Sequence, residues 1–413
     1  MEFVHGAGKG FFPLDEELKL LPGSLTPHGH ECLVRLSGWV PFEKAVVLFG
    51  DFMGIEVSQG MSQRYTEAAG EMYERMQEQE VERLEKEAPI AEKGADKIQI
   101  SADGAMVPLL HGVWAEVRTL VIGEVHSVVE KNGESIAHAR NLSYFSRKVN
   151  AEAFQRLALV EMHRRGIEHA KEVAAIMDGA EWEQGFTDYH CPHATRILDF
   201  PHAAEHVNGI GEALLGEHTP ESQAWLSDHL HRLKQDGANE LLLEFRQLMQ
   251  ENPGVEAIAS NMAYLEKRKE QMQYPRFQAQ GWPIGSGIVE SGNKLVVEAR
   301  LKGSGMHWAD QHVNPMLAIR NIICSDRWKE EWPKIETGLR QQARSRQRKL
   351  HQSRIAPTPV HASPPIPMVD QRLIQSALAR LEQEADCQKP KTNPWRKFKF
   401  GKALYRPNTP ANN

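Results

Sequence analysis

Apolar positions along the chain change their spacing in a definite order, and each change marks a new kind of element. In the N-terminal quarter they recur at helical spacing, as in Phe42, Ala45, Val46, Phe49 and Phe52, with Gly54 as the expected stop. Ser58 is the expected N-cap of a second helix over QGMSQRYTEAAGEMYERM. The Glu-rich QEQEVERLEKEAPIAEKG is then expected to be an exposed helix running into a linker. From about residue 96 the period falls to two. KIQISADGA sets Ile98, Ile100 and Ala102 on one face of a strand ending at Asp103, and WAEVRTLVIGEVHSVV and SIAHARNLSYFS predict two more strands. An amphipathic helix follows from Ala151 to Arg165, then a buried strand in EVAAIMDGAEW ending at Asp178. After another helix, ATRILDFPHAAEHV predicts a strand through Ile197 and Leu198.

These elements predict five blocks. Residues 1–92 form a helical N-terminal region with a possible helix-turn-helix, and 96–217 the first part of an α/β core. Residues 218–280 read as a polar helical insertion with no acidic pattern that needs chemistry. Residues 281–332 return to the core through a Gly-rich approach and a helix, and 333–413 form a basic, Pro-interrupted, partly disordered tail. Three strands followed by alternating helices and strands is the order of a ribonuclease H-like α/β fold.

Composition narrows the classes. The 413 residues are 41% hydrophobic and 25% charged, ordinary for a globular protein. No apolar run reaches the length of a membrane span, and the N-terminus has no secretory pattern, so a cytoplasmic protein is expected. Cys32, Cys191, Cys324 and Cys387 form no CxxC pair, which argues against a disulfide scaffold and a thiolate zinc site. The net charge of −6 conceals a division. From Pro333 onward 16 Lys and Arg face 5 Asp and Glu, a balance of +11, which leaves −17 on the rest. A basic tail on an acidic body suits contact with a polyanion, although a solvated terminus gives the same charge run.

Asp103 and Asp178 each end an apolar strand and each precede a glycine. Sites in open α/β sheets cluster at such strand ends. Two carboxylates held together repel, and hard divalent cations relieve the repulsion. Two ions roughly 3.5–4 Å apart can activate an attacking oxygen and stabilise a leaving one. Glu290, on a helix expected beside the sheet, is the candidate third carboxylate, with Glu298 a weaker rival. Either Asp-Gly alone reads as a turn. DFPH adds Asp199 and His202 in a DxxH spacing after the next strand. Pro201 favours a helix start there, so Asp199 also reads as a helix cap.

The segments GFFPLDEELKLLPG, DGAMVPLLHGVWAEVRTLVIGEV, ILDFPHAAEH and GWPIGSGIVESGNKLVVEARLKGSGMHW resemble those of ISKra-type bacterial insertion-sequence transposases, over about residues 11 to 330. The resemblance implies an Asp-Asp-Glu transposase with an interrupted ribonuclease H-like core. It implies Asp103, Asp178 and Glu290 as the acids that hold two Mg²⁺ or Mn²⁺ ions. Asp199 and His202 would be the DxxH pair, and Asp199 a rival second acid. The acids are 75 and 112 residues apart, the longer spacing holding the insertion. The implied partners are double-stranded DNA, as terminal inverted repeats and target, and further copies of the chain assembled on it. Relatives commonly carry a cysteine-rich zinc-binding segment upstream of GFFPLDEEL. Here that stretch reads EFVHGAGK, as expected of a gene shortened at its 5′ end or with a misassigned start. A decayed DNA-binding remnant and a nuclease without joining activity are the alternatives.

Candidate DNA contacts lie in two places. Gln59, Ser62, Gln63 and Arg64 would face the groove if the first helices form a helix-turn-helix, although a helical hairpin gives the same pattern. Lys294, Arg300 and Lys302 lie on the Glu290 helix and would meet phosphates, although Lys294, Glu298 and Lys302 also form an ordinary charge ladder. Trp282 and Trp308 read as core residues before base-stacking ones, and His307 as structural.

Overall fold

The computed structural model describes residues 21, 25–129, 135–355 and 375–376. The GFFPLDEELKLLPG segment, Leu21 apart, and the basic tail beyond Ile355, 375–376 apart, lie outside the described residues. Two compact units divide at Gln347 and Arg348, and the elements below belong to the first, save that the last helix continues across this boundary.

The core is α/β, with many helices around a mixed five-stranded sheet. Its strands are β1 (Lys97–Pro108), β2 (Trp114–Val129), β3 (Ser135–Arg147), β4 (Glu172–Met177) and β5 (Thr195–Leu198). Their order is β3-β2-β1-β4-β5. The first three pair antiparallel, whereas β4 runs parallel to β1 and β5 parallel to β4. The parallel half needs crossovers, supplied by α4 (Ala151–Arg164) and α5 (Glu181–His190), while α6 (Phe200–Leu215) follows β5.

One strand departs from expectation. β1 does not stop at Asp103 but runs five residues further, because β2 continues to pair with it; Asp103 lies opposite Thr119. Alternation along β1 splits its neighbours between two faces. Ile98, Ile100 and Ala102 pack with Phe154, Ala158 and Met162 of α4 and with Phe186 of α5. Ala105 and Val107 point to the other face, where Val289, Val296, Val297 and Leu301 lie.

The N-terminal helices are α1 (Pro27–Trp39), α2 (Phe42–Met53) and α3 (Gln59–Glu87). Gly54 ends α2 in the left-handed conformation, and the Ser58 hydroxyl accepts from the Met61 N–H at the start of α3. The Glu-rich segment is helical to Glu87, mostly exposed, and runs into an irregular linker over residues 88–94. Its helical part completes the preceding helix α3 rather than forming one of its own, and Val81 and Leu84 pack against Val160 of α4.

The insertion contains α7 (Pro220–Asp236), α8 (Ala238–Glu251), α9 (Glu256–Lys267) and α10 (Tyr274–Ala279). It packs on the sheet with Ile176, Ile197 and Leu198. After it come α11 (Gly287–Gly292), a π-helical segment (Asn293–Glu298) and one further turn, Ala299–Leu301. Buried Arg320 satisfies carbonyls of this stretch, donating to the Val296 oxygen at 3.2 Å and to that of Leu295. Arg320 belongs to α12 (Asp310–Cys324), which is followed by α13 (Trp328–Ile355). The segment from Pro333 to Ile355, expected to open the partly disordered tail, is therefore helical.

Candidate metal centre

β4 ends at Met177, one residue before Asp178, and the offset of its pairs with β1, from Lys97↔Glu172 to Ile100↔Ala175, is also the separation of Asp103 and Asp178. Because the side-chain period is two, both carboxylates leave the same face of the sheet. Asp103 is fixed by one local and one distant hydrogen bond: Oδ1 accepts from the Gly104 N–H at 2.6 Å and Oδ2 from the Asn293 amide at 2.9 Å. Asp178 Oδ1 accepts from the Ala180 N–H at 2.7 Å.

The third acid of the cluster is Glu183, near the start of α5. One ligand oxygen from each of Asp103, Asp178 and Glu183 lies within 4.8 Å of the others. Glu183 is buried; its Oε2 accepts from the Gly179 N–H at 3.1 Å, and its Oε1 has no hydrogen-bond partner. Burial, with the Asp178 carboxylate beside it, pushes the Glu183 carboxyl up to about 11. Burial likewise raises Asp103, against the Gly104 N–H and with Asp178 adding to the shift. Three converging carboxylates, one carrying an orphaned buried oxygen, form a donor set that could hold a hard divalent cation.

Glu290 stands outside this cluster. It is exposed on α11, and its helical neighbour Asn293, one turn on, is the residue that reaches Asp103. Glu298 pairs with Lys302 at 2.7 Å, one rung of the charge ladder. Lys294 is exposed. Arg300, expected to meet DNA, is buried. Its Nε donates to the Ser37 carbonyl at 2.9 Å, and its guanidinium lies over Phe42 and Trp308. That burial, with Arg320 nearby, brings its pKa down to about 10. Trp282 and Trp308 are buried, and the Trp308 indole donates to the Leu301 carbonyl. His307 is exposed. Of the groove-facing candidates, Gln59 and Arg64 are exposed, while Gln63 donates to Glu67 at 2.8 Å. Ser62 is buried against the Ser37 hydroxyl at 2.6 Å, which removes it from any groove.

Asp199 caps α6. Its carboxylate accepts from the His202 N–H at 3.3 Å and from the Ser286 N–H at 2.6 Å, and burial raises its pKa despite both. The His202 ring lies between acids, with Nε2 at 3.8 Å from Asp178 and Nδ1 at 3.8 Å from Asp199.

Glu183, Asn293, Tyr264 and Arg268 shape the site without having been singled out in the sequence. Glu183 carried one legible signal, a carboxylate five residues after Asp178 on a helix that immediately follows the strand. Tyr264 and Arg268 carried none, since they approach the Asp178–Gly179 turn from the insertion, 86 and 89 residues away. No protein-family model and no curated protein matches the chain.

Proposed function

We propose that the chain is a DNA transposase, cutting and joining DNA with metal-bound carboxylates on a ribonuclease H-like core. The observation that carries this reading is the convergence of the Asp103 carboxylate, from β1, and the Asp178 carboxylate, from the residue that follows the parallel neighbour β4, in a β3-β2-β1-β4-β5 sheet. Three strands followed by alternating helices and strands is the order expected of that core, and the chain has this order. The four resembling segments add the substrate class, double-stranded DNA.

Bound Mg²⁺ or Mn²⁺, two ions per site, would lower the pKa of an attacking water or 3′-hydroxyl and stabilise the leaving oxygen. Asp103 and Asp178 would hold the cations, and the Gly104 N–H and Asn293 amide keep the Asp103 carboxylate in its orientation. Glu183 is the third carboxylate in the arrangement described here. Glu290, which the resemblance implies, is the alternative that mutation must decide. Exposed Gln59, Arg64 and Lys294, with Arg346 on α13, would meet DNA.

Strand-transfer assays with duplexes carrying the element's ends, in Mg²⁺ or Mn²⁺, test the proposal. Nicked and joined products that vanish in Asp103→Asn support it. Nicking without joining would leave a nuclease, and DNA binding with neither product a non-catalytic remnant.

A further inference from the structure

The turn after β4 is held from two sides. Gly179 adopts φ +87°, and a Cβ there would meet Arg268 Nε at 2.3 Å, so both the conformation and the space demand glycine. The Tyr264 hydroxyl donates to the Asp178 carbonyl, and Arg268 donates to the Gly179 carbonyl through Nη2 and, at 3.1 Å, through Nε. Both residues come from the C-terminal end of the insertion's α9, Arg268 immediately after it.

The N–H groups of the same two peptides face the other way. A peptide unit is planar, so its C=O and the next N–H move together. The peptide whose carbonyl takes the Tyr264 hydroxyl presents the Gly179 N–H to Glu183 Oε2 at 3.1 Å. The peptide whose carbonyl takes the Arg268 guanidinium presents the Ala180 N–H to Asp178 Oδ1 at 2.7 Å. Each plane therefore links the insertion to one acid of the cluster. Donation to a carbonyl also polarises the N–H of that peptide and strengthens its bond to the carboxylate.

The clamp is itself braced by further contacts. The Arg268 guanidinium lies 3.7 Å over the Tyr264 ring, which stacks at 3.6 Å on His206, and His206 is fixed by Asn261 at 2.7 Å. Lys267 reaches Glu181 at 3.0 Å on the far side of the turn.

We infer that the helical insertion is a working part of the acidic site: Arg268 and Tyr264 act as positioning residues that aim Asp178 and Glu183 through the two peptide planes, and so set the affinity for a divalent cation. This rests on the metal-binding reading above. Mn²⁺ alone, titrated calorimetrically into the full chain, tests it. Arg268→Met should weaken Mn²⁺ binding roughly 10–100-fold, the range for lost outer partners of a metal ligand. Arg268→Lys, which keeps one donor, should recover part of that loss. Tyr264→Phe removes one hydroxyl while keeping the ring stack, and should cost roughly 2–10-fold. If Arg268→Met does not fold, Tyr264→Phe and Arg268→Lys decide. Folded variants that bind Mn²⁺ as tightly as the unaltered chain overturn the inference while the metal site stands. An unaltered chain that binds Mn²⁺ no better than the Asp103→Asn/Asp178→Asn double variant removes the metal site, and the inference with it.

Discussion

Asp103 and Asp178 bring carboxylate oxygens to within 4.8 Å of one another, and the 75 residues between them equal the offset of every β1–β4 pair. The coincidence fixes level and face together, since a slip of one residue would send one carboxylate to the opposite side of the sheet. Two acids so placed repel unless a proton or a cation separates them.

Asp103→Asn and Asp178→Asn each preserve shape and remove one negative charge and one metal-facing acceptor. Cleavage and joining should both collapse, by about 10³-fold or more on the proposed mechanism, while DNA binding persists. Product formation on labelled duplexes, with binding measured in parallel, checks this. Near-normal nicking by folded Asp103→Asn would remove that residue from the mechanism.

Glu183 and Glu290 compete for the third role, and pH separates them. The Glu183 carboxyl is raised to about 11 in the folded chain, above its ordinary 4.5. Its protonated form therefore contributes stability that is fully present below about pH 4.5 and is lost progressively as pH rises towards 11. Without divalent cations, Glu183→Gln should be more stable than the unaltered chain at pH 8, and the advantage should shrink towards pH 5. A change of about 1–3 kcal/mol over two pH units is expected. Adding Mn²⁺ should reverse the order, because the cation stabilises only the ionised carboxylate. A Glu290→Gln variant that loses Mn²⁺ binding while Glu183→Gln retains it would return the third role to Glu290.

The sequence made the strands legible because their signals are local. Alternation alone delimits β2 to Trp114–Val129, and Asp178 and Asp199 fall at strand ends where an apolar run meets Gly or Pro. What stayed hidden depends on distant partners. β1 passes Asp103 because β2 pairs with it there, and Arg300 is buried because the Ser37 carbonyl, 263 residues earlier, receives it. Glu183 reads locally as a solvent-facing acid near a helix start. Its carboxylate instead meets the Asp178–Gly179 turn, which Tyr264 and Arg268 hold from the other side, and no spacing rule reaches across the insertion.

Gly70 offers a test of the N-terminal packing. It faces the backbone of Pro315, inside α12, and a Cβ there would lie 2.1 Å from the Pro315 carbonyl oxygen. Neither backbone can yield as a side chain would. Gly70→Ala should therefore destabilise the chain by about 1–3 kcal/mol, despite alanine's better helix propensity. Thermal melts give the answer, and an unchanged melting temperature would show that α3 and α12 can separate at little cost.

Asp199 and His202 divide structural support from service to the site. Asp199 is buried and holds two backbone N–H groups, one opening α6 and one at Ser286 before α11. Asp199→Ala should cost about 1 kcal/mol for the lost cap and about 1–3 kcal/mol more for the stranded Ser286 N–H. That loss should appear in thermal melts even without metal or DNA. His202 is more exposed, and its ring stands 3.8 Å from both Asp178 and Asp199, too far for a direct hydrogen bond and close enough to reorient or bridge through water. His202→Ala should leave the melting temperature nearly unchanged, because the backbone N–H that Asp199 accepts from survives the substitution. Cleavage should fall roughly 10–100-fold if the ring steadies the Asp178 carboxylate around its cation. Normal cleavage by the stable variant would reduce DFPH to a helix start, in which Asp199 caps and His202 merely follows.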